Sequence, residues 1–312
     1  MVAQHYIDQG YPVGIVLLFT GLSGSSFYYR TSNGRPGRSS SEYTYTLDGQ
    51  RVDNGQVVDE ITDLLGHKFV DYGYIKVTWW LRYNKRYRIN FKKVYRLMRE
   101  KNLLYPKQLT PIFPRKWASW QGPDRQDPFA YWQFDIKYVY IAGMQRNALL
   151  LTVLDVDSRW VMGHYLDWSI RKEHVITLFE QILERYQLPD SITARSDNGS
   201  QFIARIVREY LAEMDITQEF TRPATPQQNG YVEAWHSIID RSICKKMELE
   251  NLDEAKQVFI EFIEFYNTER IHSGIDFKSP KQYLIDKGFG SNLNQRNNKQ
   301  KPQPPKVEYI SS

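Results

Sequence analysis

The sequence predicts an α/β protein in which small all-helical segments precede a larger domain, a mixed five-stranded sheet with flanking helices. Three observations carry that expectation. Residues 57–104 place apolar side chains at the three- and four-residue spacing of helices. From Trp132 the pattern changes to strand alternation, and then runs strand, strand, strand, helix, strand, helix, strand, helix. With 41% hydrophobic residues and 14% aromatics over 312 residues, the chain can fill one main core and a smaller domain or two.

Residues 1–55 read as a helix-turn-helix-like segment followed by a polar linker. Pro12 suits a helix start, Gly21-Leu-Ser-Gly a turn, and the run to Arg30 a second helix. Within the linker, Gly34-Arg-Pro-Gly-Arg38 has the compact basic character of an arm for a narrow minor groove, or of plain flexible chain. Residues 56–105 read as a helix-turn-helix domain. Val57, Val58, Ile61, Leu64 and Leu65 stripe a first helix that Gly66 ends. Tyr72–Tyr83 follows with Ile75, Trp79 and Leu81 inward, and Asn90 caps a third helix striped by Phe91, Val94, Tyr95, Leu97 and Met98. The opposite face of that third helix carries Lys92, Lys93, Arg96 and Arg99, which suits a DNA groove or open solvent.

Residues 106–128 are Pro- and Trp-containing and read as an extended linker into the main domain, residues 129–287. Its first strand alternates Trp132, Phe134, Ile136, Tyr138 and Tyr140 with Gln133, Asp135 and Lys137, so Asp135 lies on the face opposite the aromatic set. Leu149–Val156 is apolar enough for a sheet centre, and Trp160–Leu166 is the third strand. Ser169 is positioned to cap a helix reaching about Tyr186. Ser191–Arg195 is a strand that delivers Asp197 at its carboxyl end, Phe202–Met214 a helix, and Ile216–Phe220 a short fifth strand. Pro223 and Pro226 keep 221–230 out of a helix, and Glu233 opens one running to about Leu249. Residues 288–312 form a polar tail of disordered character.

Charge points to a partner. The net charge of +5 conceals a segment, Gly66–Gln126, with 15 Lys/Arg against 3 Asp/Glu. Such a segment favours a polyphosphate, because neutralising phosphates releases condensed counterions; a solvated basic face is the plain alternative. The single cysteine, Cys244, excludes a disulfide framework and any multi-cysteine zinc site. No apolar run is long enough to span a membrane, and the N-terminus lacks the pattern of a secretory signal.

Three carboxylates stand in distinctive local sequences: Asp135 in Trp132-Gln-Phe-Asp-Ile-Lys, Asp197 in Arg195-Ser-Asp-Asn-Gly-Ser-Gln-Phe, and Glu233 in Pro226-Gln-Gln-Asn-Gly-Tyr-Val-Glu-Ala-Trp. Thirty-five residues separate the last two. Taken singly, Asp197 also reads as a helix cap and Glu233 as a complement to a helix dipole, whereas Asp is disfavoured inside a strand such as that of Asp135. Together they resemble the triad of the DDE transposase and retroviral-integrase superfamily. Tyr72-Gly-Tyr-Ile through Val94-Tyr-Arg-Leu-Met-Arg-Glu, and then Tyr266-Asn-Thr-Glu-Arg-Ile-His272-Ser-Gly with Ser279-Pro280, resemble the IS-three group of bacterial insertion-sequence transposases, of the OrfB type.

The resemblance covers residues 12–285 and implies a ribonuclease-H-like catalytic core. It implies metal-dependent DNA cleavage and strand transfer at terminal inverted repeats, with Asp135, Asp197 and Glu233 as catalytic residues and metal ligands. It further implies two Mg²⁺ per site (Mn²⁺ substituting), DNA ends and target DNA as partners, homo-oligomerisation on paired ends, an upstream OrfA-type partner, and a cytoplasmic, nucleoid-associated protein. Lys92, Lys93, Arg96, Arg99, Asn198, Gln228, Asn229, His236 and Arg241 are the DNA-contact candidates. The group commonly carries Lys or Arg seven residues after the glutamate; here Asp240 stands there, with Arg241 next to it. Arg270 and His272 suit either phosphate contact or structural hydrogen bonding. The alternative functions are a DNA-binding regulator with a vestigial core and a structure-selective nuclease on the same fold.

Overall fold

The computed structural model describes residues 2–28, 40–105, 127–222 and 229–293. The chain divides into two compact units, residues 1–44 and 45–312. In the first, helices α1 (Val2–Asp8), α2 (Val13–Thr20) and α3 (Gly24–Phe27) follow one another. Pro12 precedes α2, as its fixed φ favours, and Gly21 ends it at φ 65, a backbone state that a side chain would strain. The basic arm at 34–38 lies outside the described residues.

Strands stand where a linker was expected, the first of them running across the boundary between the units. β1 (Tyr43–Thr46) and β2 (Arg51–Asp53) form a hairpin around Asp48-Gly49, and β3 (Tyr87–Arg88) completes a three-stranded sheet of order β2-β1-β3. The Tyr-Thr-Tyr-Thr alternation was the signal for β1, outweighed in the sequence by its polar surroundings. α4 (Asn54–Gly66), α5 (Tyr74–Asn84) and α6 (Phe91–Glu100) pack beside this sheet. Asp53 and Asn90 cap α4 and α6 by accepting from Gln56 N and Lys93 N. The inward face of α5 is Val77, Thr78 and Leu81; Ile75, expected in the core, is 47% exposed, as Phe91 and Tyr95 of α6 also lie at the surface.

The main sheet consists of β4 (Tyr131–Ile141), β5 (Arg146–Asp155), β6 (Val161–Asp167), β7 (Ile192–Ser196) and β8 (Ile216–Phe220) in the order β6-β5-β4-β7-β8. β4–β5 and β5–β6 are antiparallel, while β4–β7 and β7–β8 are parallel. This places the fourth strand of the domain beside the first, as expected. On one face, α7 (Lys172–Arg185), α8 (Ser200–Ile203) and α9 (Arg205–Glu213) cover Trp132, Phe134, Leu151 and Val153. On the other, α10 (Gly230–Ile239) and α11 (Leu252–Thr268) cover Val139, Leu150 and Leu154; α12 (Pro280–Asp286) follows, capped by Ser279.

Three boundaries differ from the sequence reading. Ser169 does not cap α7; the helix starts at Lys172, and His174 Nδ1 accepts from Arg171 N. The helix expected over 202–214 is broken at Ala204, whose ψ of 134° is extended, so α8 and α9 are separate. The helix of Glu233 does not reach Leu249: after Ile239 it opens into a π turn, Asp240–Cys244, where Lys245 N donates to Asp240 O. The tail contributes a short turn at Gly290–Leu293 with Leu293 buried; residues 294–312, like most of the 106–128 linker, lie outside the described residues.

One side chain of α11 caps the start of β6 at the edge of the sheet. Asn267 of α11 accepts from Val161 N at 2.9 Å and donates to Val161 O at 3.0 Å, both buried. Asn267→Ala leaves two buried backbone groups unpaired and is expected to lower unfolding free energy by about 2–4 kcal/mol in urea titrations; a change under about 0.5 kcal/mol would show that water replaces the amide.

Candidate active site

β4 has two faces with different jobs. Its even-numbered residues Trp132 and Phe134 fill the core, while Gln133, Asp135 and Lys137 point to α10. Gln133 is fully buried, and its Oε1 accepts from Tyr231 N and Val232 N, both at 3.1 Å. These are orphan donors of the first turn of α10, which no Asn229 side chain caps. Two residues along the strand, Asp135 Oδ2 lies 3.8 Å from His236 Nδ1. Two further, Lys137 Nζ meets Asp240 Oδ1 at 2.8 Å. Two strand residues advance about 6.6–6.8 Å and four helix residues about 6 Å, so the two elements stay in step along all three contacts. Trp235 Nε1 adds a bond to Thr152 Oγ1, and Thr152 is the cross-strand partner of Asp135.

The same strand sets the place of Asp197. β4 and β7 pair in parallel with Gln133 opposite Arg195. The pairing ends there; Asp135 stands two residues further along β4 and Asp197 just past the end of β7, close enough for its charge to be felt at the Asp135 carboxyl. Asp197 Oδ1 accepts from Gly199 N at 2.9 Å, which turns the chain sharply away. A Cβ on Gly199 would lie 2.6 Å from Gln201 Nε2 and 3.1 Å from Asp197 Oδ1, so a side chain there would have to displace the Gln201 amide and crowd the Asp197 carboxylate. Glu233 is exposed in the first turn of α10.

The electrostatics bind the three together. Burial, and then the charges of Asp197 and Glu233, push the Asp135 carboxyl up to about 7 against the lowering effect of the Ile136 N–H. Burial also raises Glu233. The adjacent imidazole gives no relief, because burial and then Lys137 hold His236 down at about 4, leaving it neutral near pH 7. Among the described residues no three His, Cys, Asp or Glu groups are gathered tightly enough to grip an ion as they stand. The donor set nonetheless fits Mg²⁺ or Mn²⁺: all oxygen, all carboxylate, and carrying negative charge that no neighbouring cation offsets at Asp135.

The other candidates divide. Lys92 and Arg99 are exposed on α6, Lys93 is half-buried, and Arg96 pairs with Glu100 at 3.4 Å. Asn198 Nδ2 donates to Thr221 O and so braces the start of the following loop. Gln228 lies outside the described residues, while Asn229 is buried. Arg241 donates to Asp71 Oδ2 at 3.1 Å rather than facing Glu233. Asp240, where a basic residue was the group's habit, holds Lys137 instead. Arg270 is 1% exposed, which removes it from direct DNA contact, and His272 is buried. Gln133 and Lys137 were missed, although their i±2 spacing from Asp135 puts them on its face.

The sheet order, with one carboxylate in the middle of β4, one just after β7 and a third on the helix laid against β4, defines a ribonuclease-H-like core. Comparison with known proteins agrees. Residues 125–226 and 214–280 match two sequence families, both described as integrase core domain, which together run over half the chain. The chain belongs to the integrase-core family of the DDE transposase and integrase superfamily. A transposase for insertion sequence element IS904 of Lactococcus lactis is 27% identical over 158 residues, 50% of this chain and 61% of that protein. Transposase InsD for insertion element IS2D of Escherichia coli K12 is 26% identical over 76% of this chain and 82% of its own length. Several of the curated relatives are thus matched over only about 60% of their length. Among solved structures, the HTLV-2 integrase catalytic core domain in complex with magnesium aligns with 18% identity and a TM-score of 0.39, over 50% of this chain and 96% of that one.

The raised carboxyl of Asp135 gives a pH test. A group whose folded pKa lies above its unfolded value of 3.8 contributes stability below about pH 4 that is lost as pH rises through about 7. Asp135→Asn, which cannot ionise, should therefore melt higher than wild type above pH 7 without divalent metal, the gap closing toward pH 5. Thermal unfolding across that range checks it; a mutant that melts lower at pH 8 would refute the burden assigned to Asp135.

Proposed function

We propose that this protein is a DNA transposase that cuts at the terminal inverted repeats of an insertion sequence and joins the freed ends to target DNA. The observation that supports the reading is the layout around β4: the Gln133–Arg195 register leads the chain toward Asp197, Gln133 holds the helix of Glu233, and the charges of both carboxylates are felt at Asp135. Asp135, Asp197 and Glu233 would hold Mg²⁺ or Mn²⁺, two ions per site as in the superfamily. Such ions, when bound, activate an attacking water or 3′-hydroxyl and offset charge on the phosphate.

The chain's own residues supply the rest. In this reading Asp135 takes the shared position between the other two carboxylates, whose charges both raise its carboxyl. Gln133 and Trp235 fix α10 against the sheet, so Glu233 is delivered from a rigid element. Neutral His236 lies beside Asp135 without competing as a cation. Lys92, Lys93, Arg96 and Arg99 on α6 would grip the DNA end by its phosphates and groove. Asn198 and the residues that precede α10, Gln228 and Asn229, stand by the carboxylates in sequence and would frame the DNA there.

Two ends must be held together, which calls for at least two copies of the chain, and an upstream product of the element is the expected further partner. No helix among the described residues is long and apolar enough to cross a membrane. A regulator with a vestigial core explains less, because it has no use for three repelling carboxylates that burden the fold.

Strand cleavage and joining on labelled DNA carrying the element's ends tests the reading, with Mg²⁺ or Mn²⁺ and with the upstream product present. Glu233→Gln should cut at least about a hundredfold more slowly while still binding the ends. Equal cutting by both proteins would remove Glu233 from the site.

A further inference from the structure

The closing sequence Tyr266–His272 is not used by the chemistry above, yet much of it is buried. Its buried cation points away from the carboxylates, to Asp71. Asp71 lies between α4 and α5, in the helical DNA-binding part, and its side chain is 6% exposed. Arg270 Nη2 reaches Asp71 Oδ1 at 2.6 Å, an ionic contact, and Arg241 Nε donates to Oδ2 at 3.1 Å. One carboxylate therefore receives two arginines from the catalytic core. Arg270 lies just past the end of α11, while Arg241 lies in the π turn that continues the helix of Glu233. Burial alone would raise the Asp71 carboxyl; Arg270 and then Lys76 outweigh it and hold it below the usual range.

The surrounding seam is continuous. Tyr72 OH accepts from Ile271 N, Lys246 Nζ donates to Val70 O, and Phe69 packs edge-on against Phe262 of α11. At its far end Trp79 of α5 stacks on Phe277, with centroids 5.0 Å apart and planes within 14°. Asp276 and Phe277 both sit at positive φ, 57° and 55°, a strained turn that presents the ring to Trp79.

We propose that Asp71 is a positioning residue: it locks the DNA-binding part to the helix that carries Glu233, so that DNA held by α6 meets the carboxylates at one fixed offset. This rests on the transposase reading. A buried ion pair is a poor source of net stability but an effective way to specify one arrangement, and a single carboxylate shared by two arginines suits that purpose. Positional errors near 1 Å suffice to slow an in-line reaction severely.

The test uses the full chain with Arg241→Gln and Asp71→Asn on end-bearing DNA, mapping the cut position by sequencing gel and measuring end binding in parallel. Arg241→Gln, at a half-exposed side chain, keeps the Asp71–Arg270 pair and guards against a simple loss of fold. The lock predicts end binding within about threefold of wild type, a rate of correct cutting lower by about tenfold or more, and cuts spread over neighbouring phosphodiesters. A merely stabilising role would lower the yield of cuts without moving them. Faithful cutting at the wild-type rate overturns the proposal, as does faithful cutting with lost end binding, which would make Arg241 a DNA contact. Should wild type cut nothing, the transposase reading fails instead, and calorimetry judges the lock: one unfolding transition in wild type that separates into two in Asp71→Asn supports it, and an unchanged single transition overturns it.

Discussion

The site depends on a match of lengths between a strand and a helix. Every second side chain of β4, from Gln133 to Lys137, meets α10 and the turn after it at intervals of four to five residues. A strand and a helix that lie along each other keep such a relation only for a few turns, because their repeats are close but unequal. Three contacts suffice here. The first fixes where α10 begins, the second sets His236 against Asp135, and the third holds the helix where it loosens into its π turn. Glu233 touches none of them directly; its place follows from the helix that they hold.

That arrangement carries a cost that the fold accepts. Asp135 is largely buried, flanked by two carboxylates and by an imidazole kept neutral, so its ionised form is disfavoured until positive charge arrives. Lys137, the cation on the same strand face, is turned to Asp240. A core selected only for stability would place apolar groups at these positions. The burden makes sense under the proposed function, in which the site accepts a divalent metal and a DNA phosphate; the family match itself is to an integrase core domain.

Much of this was legible in the sequence, for identifiable reasons. Strands β4 to β8 stood out because alternation and apolar runs are strong local signals, and the Asp197 turn because Asn-Gly marks a departure from a strand. The partners of the charged residues were not legible. Arg241 and Arg270 share Asp71 from 170 and 199 positions away, and no local pattern announces contacts at such separation. The π turn was missed because helical periodicity assumes 3.6 residues per turn throughout. β1 was hidden by its length: four residues between polar stretches give alternation too little room to be heard. Gln133 was missed for a different cause, since a buried amide that caps a distant helix looks in sequence like any polar strand residue.

The most direct measurement is anomalous diffraction from crystals of the protein bound to an element end and soaked in Mn²⁺. The account predicts manganese held by oxygens of Asp135, Asp197 and Glu233 together, with α10 still joined to β4 through Gln133. Manganese bound elsewhere, or coordinated without Glu233, would contradict it.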